Sequence, residues 1–439
     1  MSQTAGLPLP FQLPTGTVRG TSDAPLAADV ALRATGSSKV VTAVPALHGA
    51  WPVGVIDLLH LLGQVSTPAA PLTSGPHSFQ WPMLKYLYFF EDIGGELCAG
   101  AEADWYSHHG RTAVSDELGV GFSLLAAQRW LESQYQVNGI RFFDVEGCLS
   151  SRYGTRAPQV SQIPGSKKRP DWIVSGAPVG NPLRRNFFLL ESKGTKLSSR
   201  TKHVEILASA VEQLASVTVN GAILPGLATR TVSGRGHIQV WAVDPPSHQD
   251  GLVGAEVDNE RARKYHEERL LEKQEPPSAT EIVLGQAGPA RAGRGREGKE
   301  PPPVDLDAED LVDHEALLDA ERLAQWSADP DLVEATQGKE AANKAKIAWR
   351  KPKATINTRL GLATGSLMEL PGGSATLFTG ILQRFQAPVR ELDFEAVAWL
   401  QSVVGQDEDT WQAPPAGSLD PHQVSITANG LVTAIITRR

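Results

Sequence analysis

Apolar positions recur most regularly between residues 106 and 245, and their period changes several times along that stretch. Leu118, Phe122 and Leu125 fall at i, i+4 and i+7, and Leu131 extends the same face. The spacing predicts an amphipathic helix over about 116–135, with Ser115 as its N-cap. Residues 140–145 read as a first strand. A polar, basic stretch broken by Gly and Pro covers 150–170. Residues 171–174 form a short strand, 176–186 a turn, and 187–193 a strand that is apolar until its last three positions. Val204, Leu207, Val211 and Leu214 mark the buried stripe of a second helix over about 201–217, and 237–243 give a last strand. Helix, strand, strand, strand, helix, strand predicts an α/β layered domain with helices covering a mixed sheet.

The flanks are less periodic. Residues 1–50 are rich in Pro, Gly, Ala, Ser and Thr and read as a loop or a loosely attached extension. Residues 55–62 suit a short buried helix, while 83–90 suit a buried helix or a strand equally well. Residues 257–274 carry a charged helical pattern, and 275–303 read as a disordered linker. Residues 351–439 suggest a small α+β unit closed by a hairpin around Asn429-Gly430. The chain thus divides into a partly ordered N-terminal extension (1–105), a core (106–250), a charged helical and linker segment (251–350) and a C-terminal unit (351–439).

Composition narrows this picture. At 439 residues the chain exceeds one compact domain. Cys98 and Cys148 are too few for a disulfide framework or a zinc site. The N-terminus lacks the basic and apolar regions of a signal peptide, and no run of 18 apolar residues occurs. A cytoplasmic protein without membrane contact is therefore expected. The net charge of −8 disfavours nucleic acid at first, yet residues 151–205 hold eleven Lys and Arg against Asp171, Glu191 and Glu205. Such a segment is either a local phosphate-binding surface or a solvated loop. Residues 305–340 reverse the sign, with twelve acids against Arg322 and Lys339, and read as a solvated helix face.

The chemistry concentrates at Asp171 and Glu191-Ser192-Lys193. Strand alternation puts Glu191 and Lys193 on one face at the end of an apolar strand. If that strand pairs with 171–174, Asp171 comes beside Glu191. Two such carboxylates repel, and a hard divalent cation such as Mg²⁺ relieves the repulsion. A neighbouring lysine can position a water or neutralise a phosphate, so the set meets the needs of phosphodiester hydrolysis. The bland alternative is an exposed Glu-Lys pair at a strand end, contributing about 0–1 kcal/mol.

Pro170-Asp171 with Glu191-Ser192-Lys193, inside this element order, resembles the PD-(D/E)xK nuclease superfamily. The likeness covers about 106–245. It implies a restriction-endonuclease-like mixed sheet flanked by helices, with the C-terminal α+β unit added. It implies Asp171 and Glu191 as ligands of Mg²⁺ or Mn²⁺, Lys193 as the catalytic lysine, and DNA as the substrate, in restriction, repair or anti-phage defence. Many members carry a further acid on the first helix; Glu117 is the nearest candidate, with Asp116 beside it, although acids in a helix's first turn are favoured by the dipole alone. Lys167, Lys168, Arg169, Arg184, Arg185 and Lys196 would contact nucleic acid. Gln213, where some members place a site glutamine, suits a surface position equally well. His108-His109 lacks a partner acid, and Gly234-Arg235-Gly236 reads as a turn. No phosphate-binding GxxxxGK[ST] loop is present. The alternative to an enzyme is an inactive nuclease-like core serving as a nucleic-acid-binding or protein-interaction subunit, with possible protein contacts through the flanks.

Overall fold

The computed structural model describes residues 12–437, apart from 35–39, 66–76, 105, 150–159, 164–165, 167, 196–198, 220, 234–236, 246–253, 275–307, 349–352, 371–372, 374 and 405–422. In chain order, β1 (Thr15–Thr21), α1 (Ala24–Arg33), β2 (Gly49–Gly54), α2 (Val55–Val65), α3 (His77–Tyr86), β3 (Phe90–Ile93) and β4 (Glu96–Ala99) precede α4 (His108–Trp130). Then come β5 (Val137–Asp144), α5 (Val145–Leu149), β6 (Val160–Gln162), β7 (Trp172–Pro178), β8 (Arg184–Thr195) and α6 (Arg200–Leu214). β9 (Val217–Val219), β10 (Gly226–Val232), β11 (Gln239–Val243), β12 (Gly254–Glu256) and α7 (Asn259–Gln274) follow. The last part holds α8 (Ala308–Trp326), α9 (Pro330–Gln337), α10 (Lys339–Ala348), β13 (Lys353–Thr358), β14 (Gly361–Glu369), β15 (Ala375–Leu382), α11 (Gln386–Glu391), α12 (Phe394–Val404), β16 (Gln423–Ile426) and β17 (Leu431–Thr437).

The larger sheet is mixed and flanked by helices. Its strands run β3-β4-β1-β11-β10-β8-β7-β5, with β2 on β1 and β12 on β8. β8 pairs parallel with β10 and antiparallel with β7. Phe187, Phe188, Leu189 and Leu190 of β8 are all fully buried because both faces are covered, which is why this strand reads as an unbroken apolar run. Val174, Phe188 and Leu190 pack with α2 and α4, through Leu58, Phe122 and Trp130. Ile173, Phe187 and Leu189 pack with α6, α8 and α12, through Val204, Leu207, Leu317 and Phe394. The smaller sheet is antiparallel, in the order β13-β14-β15-β17-β16. Leu377 and Ile435 carry it into the same core as α2. Gln423 both donates to Leu13 O and accepts from Leu13 N at 2.8 Å. Among the described residues no helix is long and apolar enough to cross a membrane.

Several expectations change. The described part of 1–50 is not a loose extension: β1 lies inside the larger sheet, parallel to both β11 and β4. The boundary at residue 105 therefore cuts through one sheet. Strand β10, fully buried, is absent from the periodic pattern because Gly226, Ala228 and alternating Thr and Arg dilute its apolar signal. Residues 83–90 resolve into the end of α3 and the start of β3. Ser107, not Ser115, caps α4, accepting from Gly110 N at 3.1 Å. The first turns of α4 face solvent, so they carry no apolar stripe to announce them. The hairpin at Asn429-Gly430 forms with a four-residue turn over 427–430 in which only Gly430 takes a positive φ, +81°. The 275–303 linker lies outside the described residues.

The acidic segment departs most. It is helical, but Glu315 and Asp319 of α8 are fully buried instead of solvated. Glu315 Oε1 accepts from Arg141 at 2.5 Å, pairs with Arg185 at 3.7 Å and accepts from the Ser175 hydroxyl. Asp319 pairs with Arg141 as well. Twelve acids in sequence cannot disclose this, because burial of a charge is decided by its partner.

Candidate active site

β7 and β8 pair antiparallel with Trp172 opposite Leu190, so Asp171, one residue before β7, stands beside Glu191. Each carboxylate accepts a backbone N–H across the strand pair. Asp171 N–H donates to Glu191 Oε2 at 2.9 Å, and Ser192 N–H donates to Asp171 Oδ2 at 2.9 Å. Lys193, on Glu191's face as strand alternation requires, makes an ion pair with Glu191 Oε1. Asp171, Glu191 and Lys193 are thus brought together.

An open cleft of about 530 Å³ is lined by Asp171 and Lys193, with Glu191 fully buried behind them. Its walls include Asp116 and Val120 of α4, Asp144 at the end of β5, Glu146 of α5, Arg169 and Lys193. Burial raises the Asp171 carboxyl above its ordinary range, and the charge of Asp144 adds to this. Glu191 is pushed up to about 8, first by burial and then by the charge of Asp171, against the opposing pull of Lys193. Burial also raises Asp116, opposed by Lys193.

Backbone proximity explains why α4 reaches this cleft. A Cβ on Gly194 would stand 2.1 Å from Ser115 O, and one on Gly119 would stand 2.7 Å from Gly194 Cα. Hydroxyls fasten the contact. Thr229 Oγ1 lies 2.6 Å from Ser123 Oγ, which lies 3.0 Å from Ser192 Oγ. Gly194→Ala is accordingly expected to destabilise the fold by about 1–3 kcal/mol or more, as overpacking does, and to displace Asp116 from Lys193. Urea unfolding measures the first effect; unchanged stability would contradict the close approach.

The remaining expected residues separate. Glu117 is not brought to the cleft: it binds Lys85 Nζ at 2.6 Å and the Tyr86 hydroxyl at 2.5 Å, while the neighbouring Asp116 lines the cleft. Ser115 lies inside the helix, so dipole stabilisation of a first turn does not explain either acid. Arg169 sits on the rim, paired with Glu146 and held by Gln162 at 3.2 Å. Lys168 pairs with Glu212 at 2.6 Å. Arg184 and Arg185 are not in a turn but begin β8. They lie about 20 Å from Glu191 at the strand rise, so neither reaches the cleft. Arg185 is buried against Glu315 and Gln401, and Arg184 bonds Asn186 at 3.3 Å. Lys167, Lys196 and Gly234-Arg235-Gly236 lie outside the described residues. His108 and His109 open α4, His109 exposed. Gln213 is not merely a surface residue: its amide donates to Arg169 O at 2.7 Å and so holds the chain just before Pro170-Asp171. Asp144 and Glu146 went unnoticed in the sequence; a strand-ending acid before the basic stretch was the available signal.

Among the described residues, no group of three or more His, Cys, Asp and Glu side chains is drawn to metal-ligand spacing. The donor set in place is the Asp171–Glu191 pair, two oxygen donors that burial holds back from ionising, Asp171 also by the charge of Asp144 and Glu191 by that of Asp171. That excess of negative charge fits a hard divalent cation, which completes its shell with water and phosphate oxygens. No protein-family model matches the chain, and no curated protein and no solved structure matches it significantly.

Proposed function

We propose that this chain is a metal-dependent nuclease that hydrolyses phosphodiester bonds of DNA, built on a PD-(D/E)xK core of the restriction-endonuclease kind. The observation that carries this reading is the crossed bonding of the strand pair, Asp171 N–H to Glu191 and Ser192 N–H to Asp171, with Lys193 against Glu191, where Asp171 and Lys193 line an open cleft and Glu191 is buried behind them. A surface pair at a strand end would have no reason to bury Glu191 fully. Asp171 and Glu191 would hold Mg²⁺ or Mn²⁺. When bound, the cation offsets phosphate charge and acidifies the attacking water. Lys193 Nζ donates to that water or to a non-bridging phosphate oxygen as charge develops. Water oxygen bonds to phosphorus as the P–O3′ bond breaks; the water's proton passes to solvent and the departing 3′ oxygen takes one up from solvent, leaving a 5′-phosphate and a 3′-hydroxyl. Asp116 reinforces the acidic wall, and Arg169 exchanges Glu146 for a substrate phosphate.

The test compares wild type with Glu191→Ala on plasmid DNA, single strands and RNA, with Mg²⁺, Mn²⁺ or chelator. Metal-dependent DNA cleavage by wild type alone is the expected result. A wild type that cuts nothing under any of these conditions, including with added partner proteins, sinks the enzyme and leaves an inactive binding core.

Glu191 also sets a pH dependence. Its folded pKa, about 8, lies above the ordinary value of 4.5. Its contribution to stability is therefore complete below pH 4.5 and is lost as pH rises through 8. In chelator, Tm is expected to fall over this window, and Glu191→Gln to flatten the fall. A wild type and variant with parallel Tm profiles between those limits would contradict the assignment.

A further inference from the structure

Among the described residues, the charged side chains lining the cleft are Asp116, Asp144, Glu146 and Asp171 against Arg169 and Lys193. Both cations already face a carboxylate of the chain, Lys193 with Glu191 and Arg169 with Glu146. A phosphodiester entering the cleft must draw a cation from one of these pairs, and burial decides which. Glu191 is fully buried, so its carboxylate has no water to turn to if the lysine leaves. Glu146 is 52% exposed and Arg169 39%, so that pair opens into solvent at little cost.

Arg169 is otherwise ready for an anion. Its Nε–H donates to Gln162 Oε1 at 3.2 Å, and the Gln162 amide in turn donates to Lys168 O at 3.2 Å. Its carbonyl accepts from Gln213 of α6 at 2.7 Å. The backbone and the Nε edge of the guanidinium are thus fixed without Glu146, two residues before Asp171. The Glu146 carboxylate meets Nη1. A guanidinium presents the same planar fork to a carboxylate as to a phosphate, so the two anions compete for one place. Glu146 is anchored through its backbone, its N–H donating to Asp144 Oδ1 at 3.1 Å, which leaves its side chain to move.

We infer that Glu146 is a built-in competitor of the substrate: its carboxylate fills a phosphodiester seat made by Arg169 and oriented by Gln162, and so holds the DNA affinity of the cleft below what the seat can give. This rests on the nuclease reading for the identity of the polyanion, but its test needs no cleavage. Fluorescence anisotropy in chelator measures binding of a labelled DNA duplex to the full chain over a salt series. Glu146→Gln is expected to tighten binding by about two- to fivefold, the shift that releasing one exposed ion pair produces. Arg169→Gln is expected to weaken binding and to lower the salt slope by about one, as loss of one phosphate contact does. In the double variant Glu146→Gln adds nothing, because the seat it vacates is gone. Neither side chain is buried, so Tm should stay near the wild-type value in each.

An equal gain from Glu146→Gln with and without Arg169 overturns the inference, because it reports only one negative charge fewer in the cleft. Unchanged or weaker binding in Glu146→Gln overturns it too, as does a complete lack of binding by wild type and all three variants. DNA cleavage by a wild type whose Glu146→Gln variant gains no affinity discards the competitor and leaves the nuclease reading standing. An Arg169-dependent gain in a protein that never cuts keeps the seat and sinks the enzyme.

Discussion

If the proposed nuclease reading holds, Lys193→Ala is expected to lower Mg²⁺-dependent DNA cleavage by about 10²–10⁴-fold, the range lost with a positioned proton donor or acceptor, while the protein stays folded. Lys193 has one-third of its side chain exposed at the cleft and one contact on the buried side, with Glu191. Removing it takes the ammonium from the reacting phosphate but leaves the Asp171 and Glu191 hydrogen bonds with the backbone in place. Metal affinity should therefore fall little or even rise, since a positive charge leaves the carboxylates. The effect should lie in the rate of the chemical step, read by single-turnover cleavage of the DNA that wild type cuts. Asp116→Asn is expected to reduce cleavage as well, and Glu117→Gln to do so much less, because only Asp116 lines the cleft. Equal activity in wild type and Lys193→Ala would remove the lysine from the mechanism; greater loss at Glu117 than at Asp116 would restore the helix acid expected from the sequence.

Glu315→Ala is expected to cost about 3–5 kcal/mol, the range for leaving a buried charge without its partner. Arg141 and Arg185 are buried at 3% and 0% exposure, and Glu315 Oε1 contacts both. Asp319 remains for Arg141, while Arg185 keeps a neutral hydrogen-bond partner, Gln401, at 3.1 Å. Burial, with the charge of Arg141, already lowers Arg185 to about 10. Urea unfolding gives the stability change. Activity at low temperature should persist, because the clamp sits about 20 Å along β8 from Glu191 at the strand rise. If instead the acidic segment shielded the basic rim, Glu315→Ala would raise activity or DNA affinity. A stability loss below about 1 kcal/mol would mean that water or Asp319 compensates the arginines, contrary to the burial seen.

The chain's own periodicity determined a good deal. The apolar stripe of α6, the apolar strand ending in Glu191-Ser192-Lys193 and the short strand after Asp171 were legible because each is a local pattern of period 3.6 or 2. Alternation alone put Glu191 and Lys193 on one face. Tertiary structure decided what no local pattern carries. β1 and β10 entered the sheet because a strand's partner is chosen by the whole layer, and neither has an apolar run of its own. Asp116 rather than Glu117 faces the cleft because adjacent helix residues point 100° apart, and the Gly194–Ser115 contact sets the rotation. Arg185 and Glu315 are core residues rather than surface charges because each supplies the other's missing solvation. The sequence by itself therefore named the Asp171, Glu191 and Lys193 that could do chemistry. Only packing decided which neighbouring charges face the cleft and which are buried to hold the sheet.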